Sequence, residues 1–161
     1  MRIRSSLAPY LFVAIGGTPL KCAEAVAQDL RAHCSQVFTD DQVRSIPKSL
    51  IPAARWTFGF SAKMSDRIVQ ASTVVRCMNG IAWLCNYGAN LVCDKADVNR
   101  DSLGAEEFCR ENPDSIGVPM SATGHATIYE WKCVGQQPRI IRQVNQVDAR
   151  GFIAENWKTL R

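Results

Sequence analysis

Cysteine spacing constrains the fold of this chain more than any other feature of the sequence. The stretch RCMNGIAWLCNYGANLVC, Arg76–Cys93, holds three cysteines with seven residues between neighbours. A structural zinc site uses pairs about two to four residues apart, and thioredoxin-type redox or haem sites need C-x-x-C. The chain contains neither pattern, and His33 and His125 are its only histidines. We therefore expect structural disulfides, with no metal or other cofactor.

The N-terminus has the pattern of a secretory signal. Residues 1–6 carry two arginines and no acid, residues 7–15 are uncharged and mostly apolar, and Ala23-Glu24-Ala25 is a small-x-small cleavage site. The apolar run is far shorter than the about 18–20 residues that span a bilayer. We predict a signal peptide over 1–25 and one mature domain over 26–161, periplasmic or secreted, without membrane attachment after cleavage. An N-terminal core strand or helix is the alternative.

Cysteine parity supports export. Cleavage after Ala25 would remove Cys22 and leave an even set of six: Cys34, Cys77, Cys85, Cys93, Cys109 and Cys133. Exported chains fold in an oxidising compartment, where disulfides persist. We therefore predict three disulfides, and parity leaves their connectivity open.

A tight hairpin is the strongest local prediction. The β-branched run 72–78 and the apolar run 81–85 are separated by Asn79-Gly80. Both central residues of a type I′ turn need positive φ, which Asn and Gly tolerate. This register places Cys77 and Cys85 on opposite faces of the hairpin, because side chains alternate along a strand. These two cysteines should not bond to each other, and each should reach another segment.

Helices are predicted in the first part of the mature chain. The spacing of apolar residues favours a helix over 26–37. The capping box Thr39-Asp40-Asp41-Gln42 favours the start of a second, short helix, which Pro47 would end. Residues 51–59 favour a third helix with proline in its first turn. Three aromatic side chains in this helix and just after it are expected in the core: Trp56, Phe58 and Phe60.

Strands dominate the predictions for the second part. Ser102 is the predicted N-cap of a short helix that runs to Cys109. Apolar and polar residues alternate over 127–134, which predicts a half-buried strand, and residues 139–147 are its predicted antiparallel partner. The closing segment, 152–160, fits a helix or a strand. The sequence therefore predicts an α+β fold with N-terminal helices followed by a small antiparallel sheet, disulfide-stapled.

Charge is unevenly distributed in the mature chain. The segment 94–114, called the acidic segment below, holds seven acids and three basic residues, whereas 132–161 holds six basic residues and two acids. Two solvated faces of opposite sign would explain this pattern, and so would a basic protein or cation bound by the acidic segment. The mature net charge of about +2 and the absence of a basic run argue against nucleic-acid binding.

Few residues suggest chemistry. Residues 97–101 resemble the start of a calcium loop, but Ser102 and Phe108 stand where an EF-hand needs glycine and glutamate. His125 follows nearby hydroxyls and could serve a small hydrolase, although no catalytic motif surrounds it. Tyr87, Asn90 and His125 could line a binding surface.

Two resemblances add expectations. The runs WLCNYGANLVCDKAD, FCRENPDS and ATGHATIYEWKCVG are similar to uncharacterised small secreted cysteine-rich proteins of Gram-negative bacteria, between about Cys77 and Gly135. That resemblance implies export and a shared disulfide pattern, and no activity. Residues 127–135 also resemble a strand of periplasmic lysozyme inhibitors, whose target is a basic enzyme.

These observations favour an exported, disulfide-stabilised binding or interaction protein over an enzyme. An inhibitor of a basic cell-wall hydrolase of the lysozyme type is the first alternative, because the acidic segment would suit such a target electrostatically. A small hydrolase that uses His125 is the second alternative.

Overall fold

The structure is a computed structural model that describes residues 20–88 and 90–160, with side chains from residue 28 onward. The predicted signal peptide lies almost entirely outside the described residues, and its last residues, 20–25, belong to the first helix.

The chain forms five α-helices, two short 3-10 helices (Lys48–Leu50 and Ala154–Asn156) and six strands within the described residues. In chain order the α-helices and strands are α1 Leu20–Val37, β1 Asp40–Ser45, α2 Ile51–Phe58, α3 Asp66–Ser72, β2 Thr73–Met78, β3 Ile81–Asn86, α4 Leu103–Glu111, α5 Met120–Thr123, β4 Tyr129–Val134, β5 Gln137–Gln143 and β6 Trp157–Thr159. Four strands make an antiparallel sheet in the order β1-β2-β3-β6, and β4 and β5 make a separate antiparallel hairpin. The predicted α+β class is confirmed.

The hairpin of β2 and β3 is the one predicted from sequence. Asn79 and Gly80 take φ values of 53° and 76°, as a type I′ turn requires. Cys77 lies opposite Ala82, and Val74 lies opposite Cys85. The two cysteines therefore point to opposite faces of the sheet, and neither bonds to the other.

Three disulfides join the six predicted cysteines. Cys34–Cys77 ties α1 to β2, Cys85–Cys93 ties β3 to the loop that follows it, and Cys109–Cys133 ties α4 to β4. All six cysteines are at most 4% exposed. All three disulfides are thus buried; two of them fasten segments to the large sheet, and the third holds α4 on the β4–β5 hairpin.

One predicted helix is wrong. The segment 40–45 is strand β1, paired with β2, although Thr39-Asp40-Asp41-Gln42 has the residue types of a capping box. Its side chains bond elsewhere: the Thr39 hydroxyl accepts the N–H of Asn79 at 3.1 Å, and Asp41 pairs with Arg150 and Lys95. The Thr39 hydroxyl that would have capped a helix therefore bonds to the β2–β3 turn, and the Gln42 side chain accepts from Arg44 at 2.5 Å.

The predicted core position of Trp56 is also wrong, since this side chain is 80% exposed. Helix α2 buries Ile51 and Ala54, which lie three residues apart on one side, and Trp56 lies on the other side. Phe58 and Phe60 pack against the core as predicted.

The large sheet carries apolar side chains on both faces. One face, with Val75 and Leu84, packs on α1, α2 and α3. On the other face, Val74 and Cys85 pack with Phe152 and Trp157 from the C-terminal segment. This packing on both faces explains the nearly continuous burial of β2, in which every residue but Met78 is buried.

Acid should weaken one link between β1 and the C-terminal segment. Hydrogen bonds from Arg150 and Lys95 lower the pKa of Asp41 from 3.8 to about 2. A carboxyl whose pKa is lowered by folding contributes stability above its unfolded pKa, and that contribution is lost as pH falls towards 2. We expect Asp41→Asn to be less stable than wild type at pH 6, with the difference shrinking between about pH 4 and 2.

Urea unfolding across this pH range measures the difference. Asp66→Asn is the control, because it removes a carboxylate that is 73% exposed and, among the described residues, forms an ion pair with Arg55 alone. This control should follow the wild-type pH dependence. A constant difference between Asp41→Asn and wild type from pH 6 to 2 would contradict the assignment.

Candidate functional site

Helix α4 is held firmly on the β4–β5 hairpin. Ser102 caps it, since its hydroxyl accepts the N–H of Ala105 at 3.2 Å, and the Cys109–Cys133 disulfide ties it to β4. Its first turn also lies against α5, because a Cβ added to Gly104 would stand 1.9 Å from the Ala122 carbonyl oxygen. The surface that α4 presents is therefore built on a constrained scaffold.

Gly104→Ala should destabilise the protein. An alanine in an exposed helix usually stabilises relative to glycine by about 1 kcal/mol, but here its methyl group would overlap the Ala122 carbonyl. Displacing α4 from α5 should cost about 1–3 kcal/mol, as overpacking does elsewhere. Chemical denaturation measures this change. Gly117→Ala is the matched control, because nothing lies within 4 Å of its Cβ position, and a wild-type midpoint for Gly104→Ala would refute the close packing.

The acidic segment carries seven carboxylates, and none of them forms an ion pair within the described residues. All but Asp97 are exposed: Asp94, Asp101, Glu106, Glu107, Glu111 and Asp114. Five carboxylates outside the segment do pair with arginine or lysine. The hydrogen bonds that the segment's carboxylates accept come from uncharged groups, such as the Gly135 N–H, which donates to Asp114 at 2.6 Å. Its negative charge is thus directed at solvent.

Two of the three basic residues in the segment interact elsewhere. The Lys95 ammonium lies 2.8 Å from Asp41 and 4.3 Å from the centre of the Phe152 ring. The Arg100 guanidinium lies over the Tyr129 ring at 5.3 Å. Among the described residues, none of the segment's three cations, Lys95, Arg100 and Arg110, forms an ion pair with one of its carboxylates.

Exposed apolar side chains accompany these charges. Leu103, at the start of α4, is 83% exposed, and Ile116 and Met120, which follow the helix, are 92% and 45% exposed. Leu103 lies one turn from Glu107, and Glu107 lies one turn from Glu111, so the three share one face of α4. We call this face the α4 strip. Apolar residues beside unpaired charges are typical of a surface that binds a partner.

A cleft opens between the start of α4 and the β4–β5 hairpin. Its volume is about 480 Å³, within the about 300–1,000 Å³ range of ligand pockets. Trp131, Pro138 and Ile140 give it an apolar base. Charged and polar side chains make up the rest of its lining: Arg100, Asp101, Ser102, Glu106, Gln137 and Arg139. The α4 strip lies outside this lining.

The three predicted binding residues form no hydrogen bond with one another among the described residues. The Tyr87 hydroxyl donates to Asp94 at 3.3 Å, and burial followed by the Asp94 charge raises the Tyr87 pKa. Asn90 is exposed in the loop that Cys85–Cys93 closes. His125 is exposed in the turn after α5, and no hydrogen bond among the described residues joins it to Tyr87, to Asn90 or to a serine or threonine hydroxyl.

Two absences within the described part of the chain bear on the site. It contains no group of three or more His, Cys, Asp or Glu side chains arranged to hold a metal ion. No helix within it is long and apolar enough to cross a membrane. In the segment that resembles a calcium loop, Asp97 accepts the N–H of Asn99 at 2.9 Å.

Comparison with known proteins assigns no family. No protein-family model, curated protein or solved structure matches the chain. The two resemblances therefore stay predictions, and the function has to be argued from the surface itself.

Sequence reasoning found the acidic segment but missed its apolar members and the cleft. The four-residue spacing of Leu103, Glu107 and Glu111 behind the Ser102 cap would have placed them on one face. The cleft gave no such signal, because Glu106 and Arg139 come from segments that only the tertiary fold brings together.

Proposed function

We propose that this is an exported binding protein, periplasmic or secreted, that engages a basic protein partner through the acidic segment and the α4 strip. The observation that carries the proposal is the absence of ion pairs for all seven carboxylates of the segment among the described residues. Surface charges of one sign that are not neutralised internally attract a partner of the opposite sign and accelerate its association.

Apolar contact on this surface would supply binding affinity that the charges alone do not provide. Charges at the rim of an interface mainly set the association rate, whereas buried apolar anchors supply much of the affinity. Leu103 is more than four-fifths exposed and would lose that exposure in a complex. The Cys109–Cys133 disulfide holds the helix that carries Leu103 and so limits the ordering that binding would require.

Three buried disulfides in the described residues fit an oxidising, extracytoplasmic compartment. Within such compartments, a basic cell-wall hydrolase of the lysozyme type is a partner with the required charge. The resemblance of residues 127–135 to periplasmic lysozyme inhibitors supports this narrower proposal.

Charge reversal on the α4 strip tests the proposal, with lysozyme as the first probe. We expect the mature protein to bind lysozyme and slow its hydrolysis of cell walls. Glu107→Lys/Glu111→Lys should slow association about tenfold or more at low salt, with a smaller effect at about 0.5 M salt, where charges are screened. Surface-plasmon resonance measures the rates.

The matched control is Asp29→Lys/Asp66→Lys, which makes the same change in net charge at two exposed positions on other helices. It should retain most of the wild-type association rate. Absence of lysozyme binding at micromolar protein would remove the inhibitor proposal. Cross-linking in periplasmic extract then tests the broader one, which requires a basic protein captured by wild type and the control but lost from Glu107→Lys/Glu111→Lys.

A further inference from the structure

We propose that the protein self-associates head to tail, with the α4 strip of one copy seated on the exposed outer face of the β4–β5 hairpin of the next copy. A strip that a second copy covers is closed to other partners, so self-association would regulate the binding surface proposed above. This regulatory consequence rests on the proposed function, whereas the self-association itself does not. The evidence lies in the charge, the spacing and the apolar end of the two surfaces.

The strand register separates the two faces of the hairpin. Trp131 and Cys133 lie on the inner face, where the Cys109–Cys133 disulfide holds α4, and they are 3% and 4% exposed. The side chain of Arg139 points to the other face, although the residue borders the cleft. We call this other face the hairpin outer face, and it carries the remaining side chains of the ladder: Glu130, Lys132, Val134, Gln137, Arg139 and Arg142. All of them except Glu130 are exposed, so the described part of the chain leaves this face open to solvent.

Two cations lie directly opposite each other at the centre of the hairpin outer face. Lys132 pairs with Arg139 across the two strands, and side chains in such pairs have Cβ atoms about 4.5–5.5 Å apart. Like charges at directly opposite positions destabilise a sheet. Neither side chain forms an ion pair among the described residues, whereas the neighbouring Arg142 pairs with Glu130 at 2.6 Å. A carboxylate placed between the two cations would remove this repulsion.

The α4 strip matches the hairpin outer face in spacing. Its residues Leu103, Glu107 and Glu111 are four positions apart, which is about 6 Å along a helix axis. Neighbouring outer-face residues on one strand are two positions apart, which is about 6.4–6.8 Å along the strand. A helix laid along β4 would therefore bring successive residues of the strip to successive positions of the hairpin outer face.

The apolar ends of the two surfaces select one orientation. Leu103 is 83% exposed at one end of the strip, and Val134 is 51% exposed at one end of β4. When these two residues are in contact and the helix runs antiparallel to β4, the next residue of the strip is Glu107, which meets the Lys132–Arg139 pair. Reversing the helix would bring a carboxylate of the strip to the apolar end of the hairpin. Charge and apolar contact are therefore satisfied together in one arrangement.

A single copy cannot make this contact with itself. Helix α4 is fixed on the inner face by the Cys109–Cys133 disulfide, and the hairpin separates the strip from its own outer face. The occupant must come from another chain, and a second copy carries the matching acidic and apolar residues. Because the strip and the hairpin outer face are different surfaces, the contact is heterologous and leaves each end of an assembly free to bind a further copy.

Sedimentation equilibrium of the mature protein tests the inference. At low salt, we expect the weight-average mass to rise above the monomer mass as the concentration increases from about 10 µM to about 1 mM, the range of weak association. At about 0.5 M salt, the mass should return to the monomer value, because salt screens exposed charges. Glu107→Lys/Glu111→Lys, the strip variant, and Lys132→Gln/Arg139→Gln, the face variant, should each weaken self-association about tenfold or more.

Matched controls account for net charge. Asp29→Lys/Asp66→Lys makes the charge change of the strip variant, and Lys63→Gln/Arg67→Gln makes that of the face variant, both at exposed positions outside the two surfaces. Both controls should self-associate as wild type does. Thermal unfolding of each variant checks that the fold is intact.

Mixing the two monomeric variants identifies the interface. The strip variant keeps its basic hairpin outer face, and the face variant keeps its acidic strip. An equimolar mixture should therefore form a dimer of one copy of each, which cannot extend because the two surfaces left free no longer attract each other. A mixture that stays monomeric would overturn the inference, and so would a wild-type protein that stays monomeric at about 1 mM and low salt. Monomeric wild type that binds phosphatidylglycerol vesicles through Lys132 and Arg139 would assign the face to an anionic surface instead.

Lysozyme binding separates this inference from the proposed function. In dilute solution, the face variant should bind lysozyme as wild type does, because its α4 strip is unchanged. At concentrations where wild type self-associates, the face variant should bind more lysozyme per chain, because its strip stays free. Self-association without lysozyme binding would remove only the inhibitor proposal, and lysozyme binding by a protein that never self-associates would remove only this inference.

Discussion

Replacing Cys34 and Cys77 together by alanine is expected to lower the free energy of unfolding more than removal of either other disulfide. The three disulfides span 43, 8 and 24 residues for Cys34–Cys77, Cys85–Cys93 and Cys109–Cys133. Because a longer loop loses more entropy when closed in the unfolded chain, the expected losses are about 4, 2.5 and 3.4 kcal/mol in that order. A domain with a stability of about 5–15 kcal/mol would lose a large share of it.

Core packing adds to the stability that is lost when the Cys34–Cys77 disulfide, which closes the longest loop, is removed. Cys34 and Cys77 are 0% and 2% exposed and belong to the core cluster that joins α1, α2 and α3 to the large sheet. Alanine at both positions would remove two sulfur atoms from this cluster, and cavities in a close-packed core add to the loss. The disulfide also holds α1 to β2, so α1 should be the first element to loosen.

Urea unfolding of the three paired Cys→Ala variants measures the order of stabilities. Cys85→Ala/Cys93→Ala is the internal control, because it opens the shortest loop and its cysteines are equally buried. Hydrogen exchange on α1 should rise in Cys34→Ala/Cys77→Ala alone. An order in which the shortest loop contributes most would show that local strain or packing, rather than loop entropy, sets the contribution of these bonds.

The hairpin and its cysteines show what the sequence could predict. Asn79-Gly80 sets both the turn and the register, and register alone decides that Cys77 and Cys85 face opposite ways. Their partners could not be derived, because parity does not choose among pairings. The turn and its register depend on adjacent residues and were therefore predictable from the sequence. The disulfide partners depend on residues that are distant in the sequence, and they were not.

The helix that was wrongly predicted to begin at Thr39 and to end at Pro47 illustrates the opposite case. A capping box is a local signal worth about 1 kcal/mol, whereas β1 pairs with β2 in an antiparallel ladder whose register shifts between Asp40 and Arg44. Asp41 gains ion pairs with Lys95 and Arg150, which no local pattern reveals. Likewise, the acidic segment was visible from composition, but the cleft depends on α4 meeting β5. At β1 and at the cleft, contacts between residues distant in the sequence determine the structure, and local sequence patterns do not reveal them.

Asp148→Ala is expected to destabilise the protein more than loss of any other ion-paired carboxylate among the described residues, because it would leave a buried cation uncompensated. The side chain of Arg76 is 0% exposed, and Asp148 is its ion-pair partner. Two of the Arg76 guanidinium nitrogens, Nε and Nη1, have no acceptor within the described part of the chain. Removing one member of a buried pair typically costs about 3–5 kcal/mol.

The aromatic rings around Arg76 determine how the loss can be reversed. The guanidinium lies 3.9 Å from the Phe152 ring centre and 4.5 Å from that of Trp157, so it occupies an otherwise apolar site. Methionine matches the unbranched stem of arginine and carries no charge. Replacing both members of a buried pair by apolar residues is often neutral or even stabilising. Arg76→Met/Asp148→Ala should therefore be more stable than Asp148→Ala alone.

Denaturation of wild type, both single variants and the double variant completes a double-mutant cycle. Asp148→Asn serves as a further control, because Asp148 also accepts the N–H groups of Arg150 at 2.8 Å and Phe152 at 3.0 Å, and an amide oxygen can still accept them. If the two single effects simply add in the double variant, Arg76 and Asp148 are not coupled, and the buried charge does not hold the C-terminal segment on the sheet. If the double variant recovers stability, the ion pair positions the C-terminal segment on the sheet without adding to the free energy of unfolding. The same result would show that this face of the sheet can be packed with apolar side chains alone.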